Sequence, residues 1–434
     1  MERRNFFKVA VTASALLHTN TLLAKHKIPT KRQVKTTVAI CGGGFGGLST
    51  AKFLKELNPN LDVTIIEKND SFFSCPFSNA WLGGLKNISL EELNFDYNSA
   101  INKYNYNFIN DLILNIHTKS KTIYTQDLEI KYDYMIMAVG IEYNYKKLFK
   151  RDYQKAKEAL RKAPPGLKPS NEHYALKRMI KNFKGGNFVL TIPHQTIKCP
   201  LIPYERACMI ATYFMQNNID GKVIIIDPRQ RPAAKPKKFL QVFNTIYKDI
   251  IEYRNITRFK DVDFDNKIIY TEKFDKKELD YVSEQISFEE ASIIPPNIAN
   301  KLIKKAKLKT YVGGWAKLKE PTMRSISDED VYIIGDAQGQ YPYPKSAQMA
   351  NSCAYIVAQD LTARLNNTTF DHKENMPSNI CYSMVSKNKA ASMSHFYKYD
   401  KIINIESQTS KINKETAILA KNWYKGLTND IFGL

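Results

Sequence analysis

The stretch TTVAICGGGFGGLSTAKFLKELNPNLDVTIIE, residues 36–67, decides the fold of this chain. It predicts an apolar strand at residues 36–40, a helix at 48–57, and a second strand at 62–66 that ends at Glu67. Between the first strand and the helix, Gly42, Gly44 and Gly47 form the pattern Gly-x-Gly-x-x-Gly. These glycines allow a tight turn, close approach of a pyrophosphate and close helix–strand packing, while a following acid can accept from ribose hydroxyls. The stretch therefore predicts a dinucleotide-binding βαβ unit.

Two later segments favour FAD over NAD as the dinucleotide. YDYMIMAVG, residues 132–140, is an apolar strand that ends in small residues at Gly140, and it resembles the second flavin motif of flavoproteins with two dinucleotide domains. VYIIGDA, residues 331–337, brings Asp336 to the end of a strand, where such flavoproteins contact the ribityl chain. The helix predicted after Pro344 would point its positive end at the flavin ring and stabilise the reduced, anionic form.

The middle of the chain has the strand pattern of a second dinucleotide domain without its phosphate loop. A strand at residues 187–192 is followed by Pro193-His194-Gln195-Thr196, where a second glycine motif would be required. Another strand, residues 223–227, ends in an acid. We expect a domain that keeps the fold but does not bind NAD.

Composition limits the class of protein and its partners. With 434 residues, 43% hydrophobic and 12% aromatic, the chain is long enough for two or three packed domains. The net charge of +21 is compatible with attraction of an anion or an acidic protein, but equally with a general richness in lysine. The cationic residues are scattered and no nucleic-acid module is present, so we expect no nucleic-acid partner. The six cysteines form no CxxC pair, haem-attachment motif or zinc-like spacing, so no metal site is predicted.

The first residues are typical of an export signal. Arg3 and Arg4 precede Asn5-Phe6-Phe7-Lys8, which resembles the twin-arginine consensus, and a short run of apolar and small residues follows to Ala24. This run is too short and too interrupted to span a bilayer, and no other stretch approaches the required length. The pattern predicts a cleaved signal at residues 1–24, export by the twin-arginine route, and a periplasmic mature protein without a transmembrane anchor.

Two of the cysteines stand in positions that favour chemistry. Cys199 precedes Pro200 and a helix predicted at residues 204–215, and a thiol near a helix start beside Lys198 is expected to have a lowered pKa and to act as a nucleophile or redox group. Cys75 lies in a loop soon after Glu67 that can run along a flavin, where a thioether to the ring is one alternative and a plain loop cysteine the other. Cys41, Cys208 and Cys353 fit packed cores.

The chain resembles the flavoprotein subunit of flavocytochrome c sulfide dehydrogenase, a relative of the sulfide:quinone oxidoreductases. The resemblance runs along most of the sequence and rests on a set of short motifs. They are Gly42-Gly43-Gly44-Phe45-Gly46-Gly47, Cys75-Pro76-Phe77-Ser78-Asn79, Cys199-Pro200 with Pro203-Tyr204-Glu205-Arg206-Ala207, Gly335-Asp336-Ala337 with Pro344-Lys345-Ser346, Ala350-Asn351-Ser352, Cys381-Tyr382-Ser383 and Asp430-Ile431-Phe432-Gly433.

The resemblance implies a function and roles for several residues. Cys75 matches a cysteine that carries FAD covalently, and Cys199 matches one of two cysteines that form a redox-active disulfide over the flavin. Sulfide attacks that disulfide in the family, the liberated thiolate reduces the flavin, and a c-type cytochrome subunit removes the electrons. The second redox cysteine is expected directly after Gly-Asp-Ala, where this chain has Gln338. Cys199 would then lack the family's partner cysteine, so that it works alone or sulfide oxidation is weakened or replaced, unless a distant thiol reaches it in the fold.

These inferences combine into one architecture and three functional alternatives. We expect an α/β protein with two interleaved, glutathione-reductase-type Rossmann domains and a small C-terminal α+β interface domain. The predicted boundaries are FAD domain 35–150 and 291–360, NAD-like domain 151–290, and interface domain 361–434. The leading function is oxidation of sulfide or a related small anionic sulfur compound with a cytochrome acceptor. The alternatives are a flavoprotein that transfers electrons without turning over a substrate, because of Gln338, and a quinone reductase that docks on a membrane through the amphipathic residues 416–427.

Overall fold

The architecture was determined from a computed structural model, which describes residues 31–86, 88–168 and 171–434. The predicted export signal, residues 1–24, lies outside the described residues. The helices in this part of the chain are α1 (Phe45–Leu57), α2 (Ser78–Leu82), α3 (Asn98–Tyr104), α4 (Tyr145–Leu148), α5 (Tyr153–Lys162), α6 (Asn171–Asn182), α7 (Ile202–Gln216), α8 (Pro236–Thr245), α9 (Leu302–Lys305), α10 (Ala347–Leu365) and α11 (Lys414–Phe432).

The strands fall into two parallel sheets and several smaller antiparallel ones. They are β1 (Arg32–Cys41), β2 (Val63–Glu67), β3 (Ser71–Phe73), β4 (Asn94–Asp96), β5 (Asn107–Asn110), β6 (Asn115–His117), β7 (Thr122–Tyr124), β8 (Leu128–Met137), β9 (Ile141–Tyr143), β10 (Gly186–Thr191), β11 (Gly221–Ile226), β12 (Ile251–Arg254), β13 (Thr257–Asp263), β14 (Ile268–Asp275), β15 (Asp280–Ser287), β16 (Glu290–Ile293), β17 (Asn297–Ala299), β18 (Arg324–Ser325), β19 (Asp328–Ile333), β20 (Ser378–Met384), β21 (Ala390–Asp400) and β22 (Ile402–Thr409).

The first parallel sheet carries the predicted dinucleotide unit. Its order is β18-β19-β8-β1-β2-β5, and Ile40 in the centre pairs with Ile65 on one side and Ile136 on the other. These side chains are fully or almost fully buried because helices cover both faces of a parallel sheet. Strand β19 joins this sheet although it comes late in the chain. It thereby delivers Asp336 to the same sheet edge as the glycine loop.

The second parallel sheet has the order β12-β11-β10-β16 and lies in the middle of the chain. A separate antiparallel sheet of β13, β14 and β15 comes between β12 and β16 in the chain. In the C-terminal part, β20, β21 and β22 form an antiparallel sheet, and β20 packs against both α7 and α10. Two parallel-sheet units with a small C-terminal α+β unit confirm the predicted fold class.

The predicted elements hold, with shifts at their ends. Helix α1 begins at Phe45, earlier than the predicted residue 48, because Gly46 and Gly47 take up its first turn without a side chain blocking the helix end. Helix α7 begins at Ile202, with Pro203 in its first turn as expected. Among the described residues, no helix is both long enough and apolar enough to cross a membrane.

Candidate functional site

The glycine loop has the close approaches that the sequence predicts. Gly42 has φ +108°, and a Cβ there would lie 2.6 Å from the carbonyl oxygen of Ala138. A Cβ on Gly47 would lie 1.9 Å from the carbonyl oxygen of Gly42, so helix and strand can touch only through a glycine. Around Gly44, by contrast, the space is open. Helix α1 starts there without a side-chain cap, leaving its first N–H groups available to an anion.

Glu67 stands at the end of β2, directly against this loop. Its Oε2 accepts a hydrogen bond from the Gly43 amide at 2.8 Å, and its Oε1 accepts from the amide and side chain of Asn69 at 2.9 and 2.6 Å. These contacts fix the orientation of the carboxylate. A carboxylate held beside the glycine loop can accept hydrogen bonds from a ribose, as the sequence predicts.

A cavity of about 860 Å³ runs from the glycine loop to the cysteines and joins the predicted site residues. This volume is near the upper end of the range for cofactor sites. Its wall includes most of the predicted residues, whereas Gly47, in the first turn of α1, is buried and does not line it. The lining set comprises Gly42, Gly44, Phe45, Gly46, Glu67, Cys75, Gly140, Cys199, Asp336, Lys345 and Ser346.

One buried residue of the cavity wall that sequence reasoning missed also indicates a ligand. His173 is fully buried, and neither of its ring nitrogens has a hydrogen-bond partner among the residues that the structure describes. Burial lowers the pKa of His173 to about 3, so the ring is neutral and can both donate and accept. A buried polar group without partners is costly unless something binds it. A large cavity with a phosphate loop, a ribose acid and this histidine fits a dinucleotide such as FAD.

The far end of the cavity is formed by Asp336 and the start of α10. Ser346 caps this helix, its Oγ accepting from the Met349 amide at 3.1 Å, and the first residues of the helix line the cavity. The Asp336 carboxylate lies 3.3 Å from Lys198 Nζ. Burial works to lower the pKa of Lys198, but Asp336 outweighs it and the pKa is raised. The positive helix end and this ammonium together favour negative charge on a bound ring.

Lys345 is a second buried cation at this end. Its Nζ donates to the carbonyl of Gln338 and lies 3.7 Å from the centre of the Trp315 ring. Burial lowers the pKa of Lys345 to about 7, opposed by Asp336. Its backbone carbonyl accepts from the Cys199 amide at 3.0 Å, so Lys345 also fixes the cysteine loop.

Cys75 faces the cavity from the loop after β3, as the sequence suggests. It is half-buried, and its carbonyl accepts from Ser78 Oγ at 2.7 Å. Burial raises the pKa of the Cys75 thiol, while Lys198 and Arg206 act in the opposite direction. The thiol, which lines the proposed cofactor cavity, therefore lies within the electrostatic reach of Lys198 on the same wall and of the buried Arg206.

Cys199 also lines the cavity, but its predicted acidity is wrong. Burial raises the pKa of this thiol well above its ordinary value, and the neighbouring Cys381 and Cys75 add to the rise. Helix α7 begins only at Ile202, and the amide of that residue donates a hydrogen bond to the Cys199 carbonyl. The residue has φ +47°, a left-handed backbone that is rare for a side chain of this kind. Such a conformation persists only where surrounding contacts hold it.

The fold brings a distant thiol close to Cys199, a point that the sequence leaves open. Cys381, on β20, lines the same cavity and, after burial, contributes most to the rise in the Cys199 pKa. Sequence reasoning quoted Cys381 without assigning it a role, because only the packing of β20 against α7 brings it close. Gln338 is instead a buried loop residue whose Oε1 accepts from the Gln340 amide. Cys353 lies in the core beside Met349, and Cys41 and Cys208 are buried as expected.

Asp227, the acid that follows β11, forms hydrogen bonds with other side chains of the protein. Asp227 is fully buried and accepts hydrogen bonds from Tyr204, Tyr253 and Arg229. Arg229 in turn donates to the carbonyls of Pro193 and His194, where a nucleotide loop would have free amides. The second sheet thus has an internal hydrogen-bond network where an NAD site would need a free acid.

Comparison with known proteins gives the family. The profile for the central region of the sulfide dehydrogenase (flavocytochrome c) flavoprotein chain matches residues 174–283, and the profile for the flavin-binding region of flavocytochrome c sulphide dehydrogenase matches residues 374–432. The profile for pyridine nucleotide-disulphide oxidoreductases matches residues 36–160. The three matched segments do not overlap and together span most of the chain. The match to the flavin-binding profile makes the protein a flavoprotein.

Individual relatives agree with these profiles. The sulfide dehydrogenase (flavocytochrome c) flavoprotein chain of Chlorobaculum thiosulfatiphilum is 56% identical over 43 residues, which are 10% of this chain and 90% of that relative. The mitochondrial sulfide:quinone oxidoreductase of Dictyostelium discoideum is 24% identical over 359 residues, 79% of this chain and 74% of the relative. The crystal structure of sulfide:quinone oxidoreductase from Aquifex aeolicus has the same fold, with a TM-score of 0.71, 17% identity and 92% of each chain covered. The chain therefore belongs to the family of flavocytochrome c sulfide dehydrogenase flavoprotein chains, FAD-dependent oxidoreductases related to the sulfide:quinone oxidoreductases.

Proposed function

We propose that this chain oxidises sulfide, or a related small anionic sulfur compound, at the pair Cys199 and Cys381 and passes the electrons through FAD to a c-type cytochrome. The observation that carries the proposal is the position of the two thiols. Cys381 lies close enough to Cys199 to raise the pKa of that thiol, and both line the cavity whose end is formed by Asp336 and the start of α10. Family membership supports sulfide as the substrate.

The chemistry balances with these two sulfurs. In the oxidised protein they would form a disulfide, which HS⁻ attacks, leaving a persulfide on one cysteine and a thiolate on the other. When the disulfide re-forms, sulfur leaves at the zero oxidation level and one proton is released for each HS⁻ consumed. FAD, when bound, accepts the two electrons and can give them up singly. The half-buried Lys198 on the cavity wall and the buried Lys235 favour entry of an anion.

This proposal is tested by an anaerobic sulfide titration of the purified protein. We expect the flavin absorbance to bleach with sulfide and to return when oxidised cytochrome c is added. A soluble ubiquinone analogue tested in parallel identifies the acceptor. Bleaching with return only on adding quinone would reject the cytochrome acceptor, and no bleaching with sulfide, polysulfide or thiols would reject sulfur oxidation.

We propose further that Cys75 carries the flavin through a thioether to the ring methyl group. Its place on the cavity wall, one loop beyond the ribose acid Glu67, supports this. A C–S bond would replace one C–H and one S–H bond, with two protons released and two electrons left on the ring for the acceptor. After acid precipitation we expect yellow colour in the pellet, and Cys75→Ser should move it to the supernatant. Colour in the wild-type supernatant would reject the tether.

The same proposal includes export to the periplasm by the twin-arginine route. The support is the Arg3-Arg4 pattern of the sequence. The double variant R3K/R4K should leave the protein in the cytoplasmic fraction of a bacterial host, whereas the unchanged chain should appear in the periplasmic fraction. Equal export of both would reject this route.

The two alternative functions have less support. A flavoprotein without turnover was suggested by Gln338, but Cys381 supplies the thiol whose absence was the reason for it. Docking on a membrane would require an exposed apolar surface. Among its large apolar side chains, α11 exposes Ile418 and Leu419, while Trp423 of the same helix lines the cavity. The acceptor titration decides this case as well.

A further inference from the structure

Lys235 is a buried lysine that reaches from the middle unit into the C-terminal sheet. It immediately precedes α8, is 2% exposed and has a left-handed backbone with φ +48°. Its Nζ donates to the Cys381 carbonyl at 2.9 Å, to Ser383 Oγ at 2.9 Å and to the Ala391 carbonyl at 3.1 Å. An ammonium has three protons, so each is used by one neutral acceptor. The cation is held rigidly next to Cys381.

The positive charge of Lys235 has no carboxylate partner at ion-pair distance in the described part of the chain. Burial lowers the pKa of Lys235 to about 8, and the groups that oppose this are Cys381, Glu205 and Cys199. Glu205 is engaged elsewhere, with Asn79 and the Met384 amide, and burial raises its pKa. A buried charge is costly unless an opposite charge compensates it. The two thiols are the groups that can supply one.

We propose that Lys235 is a positioning residue that keeps negative charge on the reduced Cys199–Cys381 pair. The inference rests on the proposed function, in which these two sulfurs form the redox pair. Because the two thiols interact, the pKa for loss of the first proton belongs to the pair and is not assigned to either sulfur. A fixed ammonium favours that loss, and the resulting thiolate is the form that gives electrons to an acceptor. The oxidised pair carries no charge, so Lys235 acts on the reduced state.

Other ionisable groups face the same pair or Lys235 and must be held constant in a test. They are Glu205 on α7, Asp336 and Lys198 near the cavity end, Cys75 in its loop, and His395 on β21. Burial lowers the pKa of His395, and Lys235 lowers it further, so the ring is neutral near pH 7. A substitution at Lys235 leaves all of them in place. The change it causes therefore reports the missing ammonium.

The test measures how fast iodoacetamide alkylates the reduced, FAD-containing protein as a function of pH. A Cys75→Ser background confines reactive thiols on the cavity wall to the pair. We expect Lys235→Met to slow alkylation about tenfold at pH 7, below the lysine's pKa of about 8, and to raise the midpoint of the pH profile by up to about one unit. Lys235→Arg should keep most of the wild-type rate because it keeps the charge. A Lys235→Met protein with bound FAD and an unchanged alkylation rate at pH 7 would overturn the proposal.

Two further variants separate charge from packing. Ser383→Ala removes one hydrogen bond of Lys235 but no charge, so it should lower stability slightly without moving the midpoint. If Lys235→Met does not fold, Lys235→Gln supplies a neutral side chain in its place. A wild-type alkylation rate at pH 7 in that variant, or a Ser383→Ala midpoint shifted as far as one unit, overturns the proposal. Sulfide turnover is not needed for this readout, so a protein that fails with sulfide can still show the Lys235 effect.

Discussion

Replacing Cys381 by serine should abolish rapid reduction of the flavin by sulfide while leaving the fold intact. Cys381 is half-buried at the cavity wall on β20, and serine is close to it in size. Among the described residues, the thiols on this wall are Cys75, Cys199 and Cys381. If Cys75 is bonded to the flavin and Cys381 is removed, Cys199 can react only with a second sulfur compound from solution.

The size of the rate loss follows because a thiol held beside Cys199 is replaced by a sulfur compound that must arrive from solution. Well-oriented neighbouring groups act at effective concentrations of about 10⁵ M and above. Even an effective concentration of about 1 M, low on that scale, exceeds about 1 mM sulfide by about 10³. We therefore expect anaerobic stopped-flow measurements to show flavin bleaching slowed by at least about 10³-fold. Cys199→Ser and the double variant should lose about as much as Cys381→Ser, since groups that act as a unit are not additive.

The matched control is Cys353→Ala, which removes a fully buried thiol that does not line the cavity. This variant should bleach at nearly the wild-type rate. Bleaching of Cys381→Ser within about threefold of wild type would refute the reasoning, as would a loss in the double variant equal to the product of the two single losses.

Three other substitutions test the scaffold of the site. Gly47→Ala should be purified without flavin, since its Cβ would lie 1.9 Å from the Gly42 carbonyl oxygen; an absorbance spectrum with normal flavin content would contradict this. Arg206→Met should lower the free energy of unfolding by about 3–5 kcal/mol, because a buried guanidinium bound to four acceptors is lost; denaturant unfolding measures it, and a loss under about 1 kcal/mol would be inconsistent with the geometry. His173 has a pKa of about 3 against 6.5 when unfolded, so the unfolded chain binds more protons and stability falls as pH drops from 6.5 toward 3, by up to about 4–5 kcal/mol. In unfolding measurements at successive pH values, His173→Gln should reduce this acid sensitivity and the exposed His194→Gln should not; equal slopes in all three proteins would exclude His173 as the cause.

The cofactor end of the site could be predicted from sequence because its parts are close together in the chain or follow a recognisable sequence pattern. Gly42 and Glu67 belong to one βαβ unit, and the turn, the helix and the second strand follow each other directly. Asp336 comes late in sequence, but its strand has the apolar pattern of a buried parallel strand. Since the carboxyl ends of parallel strands meet at one sheet edge, its place beside the loop followed from topology.

The sulfur end could not be predicted, because it depends on packing between distant parts of the chain. Cys381 approaches Cys199 only because β20 lies against α7, and no periodicity in either segment indicates that contact. The acidity of Cys199 was predicted from a helix start close by. Burial outweighs that effect, as the dipole of a helix acts mainly within its first turn and Cys199 precedes it.

Lys235 shows the same limit for electrostatics. The net charge of +21 suggested attraction of anions, but charges on the surface are screened over about 10 Å at an ionic strength near 0.1 M. The charges that act on the sulfur pair are instead the few that the fold buries, and Lys235 has no feature in the sequence that separates it from dozens of exposed lysines. Only its three hydrogen bonds to the C-terminal sheet show that it is fixed. In the proposed reaction, the lysines that the packing excludes from water would set the electrostatics at the sulfur pair, and the total count of lysines would have little influence.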